Sequence, residues 1–291
     1  MSGLLRRRDP LRLTGRPRRP VRPGSPSGHG TGTPDSLRVM NYTDLVQGAA
    51  HAPFEGWDFG VFAGRFTEEN TSWDFAELVR SRLTDGEALL DLGTGGGEFL
   101  SGLAPLPPGT TATESYPPNV PVAGRRLAPL GVRVIDTGEE DDDLLPLPDA
   151  AFGLVTSRHE SYAPAEIARV LRGGGVFVTQ QVGGRDLAEL NEALGAPGHG
   201  YSHWDLASAR AGLAGAGFEI LDAREELVPA AFHDIGAVLL FLRITPWQIP
   251  GFDVDRYDAR LRALHARLSS GSPLTVRCHR FVITARRALT P

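Results

Sequence analysis

The sequence predicts an α/β protein whose mostly parallel sheet is covered by helices on both faces. Three observations predict it. From residue 88 onward, short apolar runs of strand length alternate with stretches of helical period. Such alternation builds parallel sheets, because the crossover helices come to lie on the two faces. The first run ends at Asp91 and is followed by four glycines in five positions, Gly93 and Gly95 to Gly97. Finally, 291 residues with 41% apolar and 22% charged side chains can bury a substantial core.

Residues 1–39 carry nine arginines against Asp9 and Asp35, a net charge of +7, among Pro, Gly and Ser without hydrophobic period. They read as a disordered tail, and Met40 begins a globular-looking sequence. A dispensable segment, an arm for nucleic acid or an acidic partner, and a targeting peptide lacking an apolar core all fit such a tail. Residues 40–84 read as a helical cap. In it "WDFAELVRSRL" (73–83) has helical spacing, with Thr71 or Ser72 as N-cap. Residues 85–291 form the main domain. Its seven strands are expected at 88–93, 110–115, 132–137, 152–157, 175–181, 218–225 and 276–285, with helices such as 164–172 and 204–217 between them. An insertion at about 229–270 is too long for a plain connection and reads as a lid or substrate wall.

Composition excludes several classes. Beyond residue 39 the net charge is −12, which argues against a large nucleic-acid footprint on the folded part. All thirty basic residues are arginine, the mark of a GC-rich genome more than of function. One cysteine, Cys278, excludes a disulfide framework and suits a reducing, cytoplasmic setting. No run of about 18 apolar residues offers a membrane span. No His/Cys/Asp cluster has metal-ligand spacing, so no metal is expected.

The glycines need a ligand or a tight turn to explain them. Gly93, Gly95 and Gly97 are spaced GxGxG, and Glu98 stands where a dinucleotide fingerprint has its third glycine. A carboxylate there would repel a pyrophosphate, and a P-loop needs a lysine that this chain lacks. Asp91 to Gly97, "DLGTGGG", resembles motif I of the class I S-adenosylmethionine-dependent methyltransferases. Further matches follow in order over residues 75 to 225. Glu114, in "TATESY", falls where the family has its ribose acid. "EEDDDLLPLPDAAFGLV" is similar to its adenine region, and "EIARVLRGGG" to its helix-to-strand turn. Gly153 replaces a usual Asp and Gly173 a usual Pro.

The resemblance implies a Rossmann-like three-layer sandwich, with a mostly parallel seven-stranded sheet and an antiparallel last strand. It implies S-adenosylmethionine as cofactor and S-adenosylhomocysteine as product. Asp91, Gly93, Thr94, Gly95, Gly97, Glu114, Ser115 and Arg158 would hold the cofactor, with Asp141 and Asp142 at its adenine. The fourth strand would end beside it, so "TSRHESYAP" (156–164) faces the reaction. His159 is the candidate base or acceptor orienter, with Glu160 as its partner or as a field for the sulfonium; the imidazole could equally cap a helix or touch the cofactor without proton transfer. Tyr162, Gln181, His203, His233 and Trp247 are candidate substrate contacts. One of Gln180 and Gln181 should face a helix layer, and Ser202 or His203 is a candidate start for the helix at 204.

The expected activity is methyl transfer to an O, N or C atom of a small molecule, by a monomer or homodimer resembling bacterial methyltransferase-domain proteins. The alternatives are a nucleic-acid or protein methyltransferase using the basic tail, and a non-catalytic S-adenosylmethionine or S-adenosylhomocysteine binder. A nicotinamide oxidoreductase is more distant.

Overall fold

The computed structural model describes residues 41–54, 59–84, 86–138 and 144–289. The cap holds α1 (Tyr42–His51), a 3-10 turn (Phe59–Phe62), β1 (Phe66–Glu68) and α2 (Phe75–Arg80). Then come β2 (Leu89–Leu92), α3 (Glu98–Ser101), β3 (Thr111–Glu114), α4 (Val120–Leu127), β4 (Arg133–Asp136), β5 (Phe152–Arg158) and α5 (Pro164–Val170). The chain continues through β6 (Leu171–Val182), α6 (Ala188–Leu194), α7 (Leu206–Gly215) and β7 (Phe218–Phe232). It ends with α8 (Ile235–Ile244), α9 (Val254–Ser269) and β8 (Leu274–Arg287).

The strands form one sheet in the order β1-β7-β8-β6-β5-β2-β3-β4. Neighbours from β6 to β4 are parallel; β8 is antiparallel to β6 and β7, and β1 to β7. The sheet therefore has eight strands where seven were expected. The extra one, β1, is three residues in a polar stretch, too short for alternation to show in sequence.

Alternation along the strands explains the two faces. Leu89 packs with Val79, Leu100 and Leu127 under α2–α4, whereas Leu90 packs with Ile167 and Leu213 under α5 and α7. Likewise Val282 joins the first core, and Phe281 and Ile283 the second.

A third core changes the expected outline. β7 does not stop near residue 225 but runs to Phe232, paired with β8 until Phe232 meets Leu274. β6 reaches only as far as Val182, opposite Arg280. The β7–β8 ribbon thus projects six residues, about 20 Å, past the sheet. Pro229 lies within it. Its carbonyl accepts from Glu69 N on the outer side, so its missing donor also faces outward and interrupts no β8 bond. Val228, Phe232 and Val276 of the ribbon pack with α1, α6, α8 and α9 through Val238, Leu190, Leu261 and Leu264.

Two helix starts differ from expectation. α2 is capped by Asp74, whose side chain accepts from Glu77 N; Thr71 and Ser72 bond instead to Trp73 O and Glu226. α7 starts at Asp205, in a capping box with Ser208, and not at Ser202 or His203.

Candidate active site

The parallel strands β2, β3, β5 and β6 end on the same side of the sheet, where such folds present their ligand-binding loops. At the end of β2 the chain turns through Gly93, Gly95 and Gly97, at φ of 60°, 63° and 80°, a left-handed backbone open to glycine. Thr94 N donates to Thr113 O at 2.9 Å and Gly93 N to Thr113 Oγ1 at 3.3 Å, tying the turn to β3. At Gly97 a Cβ would sit 2.8 Å from Leu127 Cγ, so the glycine lets α4 close on the turn. At Gly93 a Cβ would collide with the Glu160 side chain, so the loop after β5 lies directly on the turn. Glu98 is paired with Arg126, which also donates to Gly96 O at 2.6 Å. That residue braces the turn from outside.

Two carboxylates flank the turn. Asp91 is 2% exposed, and its Oδ1 accepts from Thr156 Oγ1 at 2.8 Å. Burial pushes its pKa up to about 6, against the opposing pull of the Thr156 hydrogen bond. Glu114, also 2% exposed, closes β3, and its Oε1 accepts from Tyr116 N at 2.8 Å. Beside Asp91, the buried Thr94 hydroxyl also favours the ionised form of that carboxylate. Two acids and a hydroxyl around an open glycine backbone fit a ligand that brings a cation and hydroxyl groups.

The loop after β5 supplies the other wall. His159 has φ 63°, strained for a residue with a side chain, and its N–H donates to Gln180 O at 2.8 Å. Its ring is open to solvent, yet it sits among enough protein that desolvation, then the charges of Arg280 and Arg158, hold its pKa well below the ordinary value. Gln180 Nε2 lies 3.1 Å from His159 Nε2, and Gln180 Oε1 accepts from Trp73 Nε1 at 2.8 Å. Arg158 lies over the Phe99 ring, 5.5 Å from its centroid, where the carboxylates of Glu68 and Asp91 act on its charge. Arg280 is clamped between Asp186 and Glu68, at 2.5 and 3.1 Å.

The structure thus brings together Asp91, Gly93, Thr94, Gly95, Gly97, Glu114, Arg158, His159 and Glu160, with Ser115 next to Glu114. Asp141 and Asp142 lie outside the described residues. The other expected contacts stand apart. Gln181 is turned to the opposite face, its amide spent on Thr179 Oγ1, Ser157 Oγ and Glu160 O, while Gln180 faces His159. Tyr162 packs edge-on against Phe177 and Trp204 in the second core, with burial raising its pKa. His203 is exposed in the turn before α7, and Trp247 is half-buried in the turn after α8. His233 bonds Thr67 Oγ1 at 3.0 Å and borders a cavity of about 570 Å³ between α1, α8 and α9, on the projecting ribbon. Among the described residues no three His, Cys, Asp or Glu side chains group as metal ligands.

Sequence reasoning missed Trp73, Glu68 and Arg280. For Arg280 a signal existed: it is flanked two residues either way by Cys278 and Val282 on one face of β8, and an arginine in such a row needs a buried partner.

Residues 90–179 match the model of a family described as a methyltransferase domain. The sequence matches none of the curated proteins. Among solved structures, the YcgJ protein of Bacillus subtilis is 17% identical, with TM-score 0.53 over 74% of this chain and 99% of its own. A putative methyltransferase from Bacillus halodurans is 19% identical, with TM-score 0.52 and the same coverage. The [4+2]-cyclase SpnF is 20% identical, with TM-score 0.50 over 85% of this chain and 93% of its own. These likenesses establish the fold.

Proposed function

We propose, from the premise that this chain carries a class I S-adenosylmethionine-dependent methyltransferase domain, that it methylates a small-molecule acceptor. The carrying observation is the pair of buried carboxylates, Asp91 and Glu114, around the open glycine turn. Asp91 would hold the ammonium of the cofactor's amino-acid tail and Glu114 its ribose hydroxyls, with Thr94 Oγ1 supplying a further hydrogen bond. When bound, S-adenosylmethionine supplies an electrophilic methyl group on a sulfonium. Glu160, packed on Gly93, adds negative charge beside that position. Arg158 and His159 line the approach from β5. Alignment of the two reactants supplies much of the rate in such a displacement.

The small-molecule reading is supported by an acidic body and by the cap and ribbon around the strand ends. No helix among the described residues is long and apolar enough to cross a membrane.

Calorimetric titration of S-adenosylmethionine and S-adenosylhomocysteine into the full chain tests the reading. We expect micromolar binding, weakened ~100-fold in Glu114→Ala, the usual scale for a buried charged hydrogen bond. No binding by folded protein would overturn it. Binding without turnover on a broad acceptor panel would favour a non-catalytic binder, and loss of acceptor binding on removal of residues 1–39 would favour a macromolecular substrate.

The titration should also depend on pH. Asp91 has a pKa of about 6 without ligand, and a bound cation favours its ionised form. Binding below pH 6 must therefore expel a proton, and affinity should fall about tenfold per unit as pH drops below 6. Above about pH 7 it should be flat with respect to this group. Buffers of different ionisation enthalpy would reveal the released proton. Equal affinity at pH 5 and 7 would remove Asp91 from the ammonium site.

A further inference from the structure

We propose that Gln180 fixes His159 as a neutral ring protonated on Nδ1, so that His159 donates a hydrogen bond to the acceptor, which enters already ionised. The inference rests on the methyltransferase reading for its substrate class, but not for the state of the ring.

Trp73 fixes the Gln180 amide. An indole nitrogen only donates, so the 2.8 Å contact identifies Gln180 Oε1 as acceptor and settles which way the amide faces. Both amide hydrogens are then on Nε2, 3.1 Å from His159 Nε2. That ring nitrogen must offer its lone pair, and the neutral ring's proton must sit on Nδ1. Protonating Nε2 would set two donors face to face. Rotating the amide would free the ring but leave the Trp73 N–H without its partner, a penalty of about 1–3 kcal/mol for a buried donor. The ring's lone pair is thus occupied, and the nitrogen left for a ligand carries a hydrogen.

The charges around the ring point the same way. Arg158 precedes it on the loop, and Arg280 approaches from β8; both disfavour an imidazolium. Glu68 of β1 is engaged by Arg280, and Glu160 lies on Gly93. A ring N–H beside the Arg158 guanidinium suits an anionic oxygen, that of an acidic hydroxyl or a carboxylate. For such an acceptor, one oxygen lone pair forms the bond to the methyl carbon while the carbon–sulfur pair returns to sulfur. An anion and a cation give two neutral products. No proton is left over, and no general base is required.

Long-range proton–nitrogen correlation spectra of the imidazoles in the full chain, without ligand, test this directly. The His159 signal, identified by its loss in His159→Gln, should show protonated Nδ1 and bare Nε2, and should not titrate between pH 5.5 and 8. In Gln180→Glu, a carboxylate would accept from both Trp73 and the ring, moving the proton to Nε2 and raising the ring's pKa. An Nε2-protonated ring in the wild type, or one that titrates near its ordinary value, would overturn the proposal. The wild-type spectrum decides even if Gln180→Glu fails to fold. In turnover, phenols and carboxylic acids should be methylated in preference to amines and aliphatic alcohols, with rates that follow the acceptor's own ionisation. A preference for neutral amines would overturn the substrate class. Absence of S-adenosylmethionine binding would instead defeat the methyltransferase reading and leave the ring assignment standing.

Discussion

Asp91→Asn should make the protein more stable and nearly unable to bind S-adenosylmethionine. The carboxylate is buried, and burial raises its pKa to about 6. The sign follows from proton counting. Between about pH 4 and 6 the folded state holds a proton that the unfolded state has lost, so this group's contribution falls as pH rises through that window. At pH 7 the ionised form costs about 3 kcal/mol, since each tenfold change in proton affinity is worth ~1.4 kcal/mol. An asparagine keeps an oxygen for Thr156 Oγ1 and carries no charge. Its Tm should rise on the order of 5 °C, and the pH dependence of affinity below 6 should disappear with the affinity itself. A calorimetric scan and a titration on one preparation would show both. A lowered Tm would mean that the charge is already satisfied in the free protein; retained binding would mean that the ammonium lies elsewhere. Gain of stability on loss of a functional group is the expected mark of a site held ready for its ligand.

Arg280→Ala should have the largest effect in the opposite direction. The arginine side chain is 11% exposed between Asp186, at 8%, and Glu68. Asp186 also accepts from His279 N at 2.8 Å, so its carboxylate cannot turn away freely. Removing one member of a buried ion cluster leaves an uncompensated charge, at about 3–5 kcal/mol, and Tm should fall on the order of 10 °C. A triple variant, Arg280→Met with Asp186→Leu and Glu68→Leu, should recover most of the loss, since apolar groups of similar size often replace such clusters at little cost. Chemical denaturation of the three proteins distinguishes the cases. An unchanged midpoint in Arg280→Ala would show the cluster to be solvated.

Much of this molecule was legible from residue pattern alone, for reasons that individual positions make clear. Leu89, Leu90 and Asp91 announced a strand end because a wholly apolar run with an acid at its tip suits a strand buried on both faces that opens onto a polar site. The glycines announced a ligand site or a tight turn because a cluster so costly in a chain interior needs a reason; their left-handed backbone is visible only in the fold. Glu114 could be placed because its distance from Asp91 is fixed by one crossover. What stayed hidden depends on pairing across long separations. β1 owes its existence to Phe232 and its neighbours, some 165 positions away, and three residues leave no period to detect. The full length of β7 was masked by Pro229, which reads as a strand breaker until its outward orientation is known. Gln180 and Gln181 were interchangeable in sequence. Only the register of β6 says which reaches His159 and which the opposite layer. Trp73 entered the sequence reading only as the start of a helical stretch; it is a core residue whose indole nitrogen also settles the orientation of Gln180.

The meeting of Phe232 with Leu274 has a consequence for how such a protein can change over generations. The chain leaves the ribbon at one of these residues and re-enters at its paired neighbour. Residues 233–273 are therefore a cassette with adjoining ends. Closing a loop depends only logarithmically on its length, about 0.6 kcal/mol per doubling, so cassettes of other sizes fit the same gap. A recombination event there leaves the glycine turn, both carboxylates and the Trp73–Gln180–His159 chain in place, because none of them lies within it. Under the proposed function, exchange at two neighbouring residues would remodel the wall beyond the strand ends while the proposed cofactor site is inherited whole.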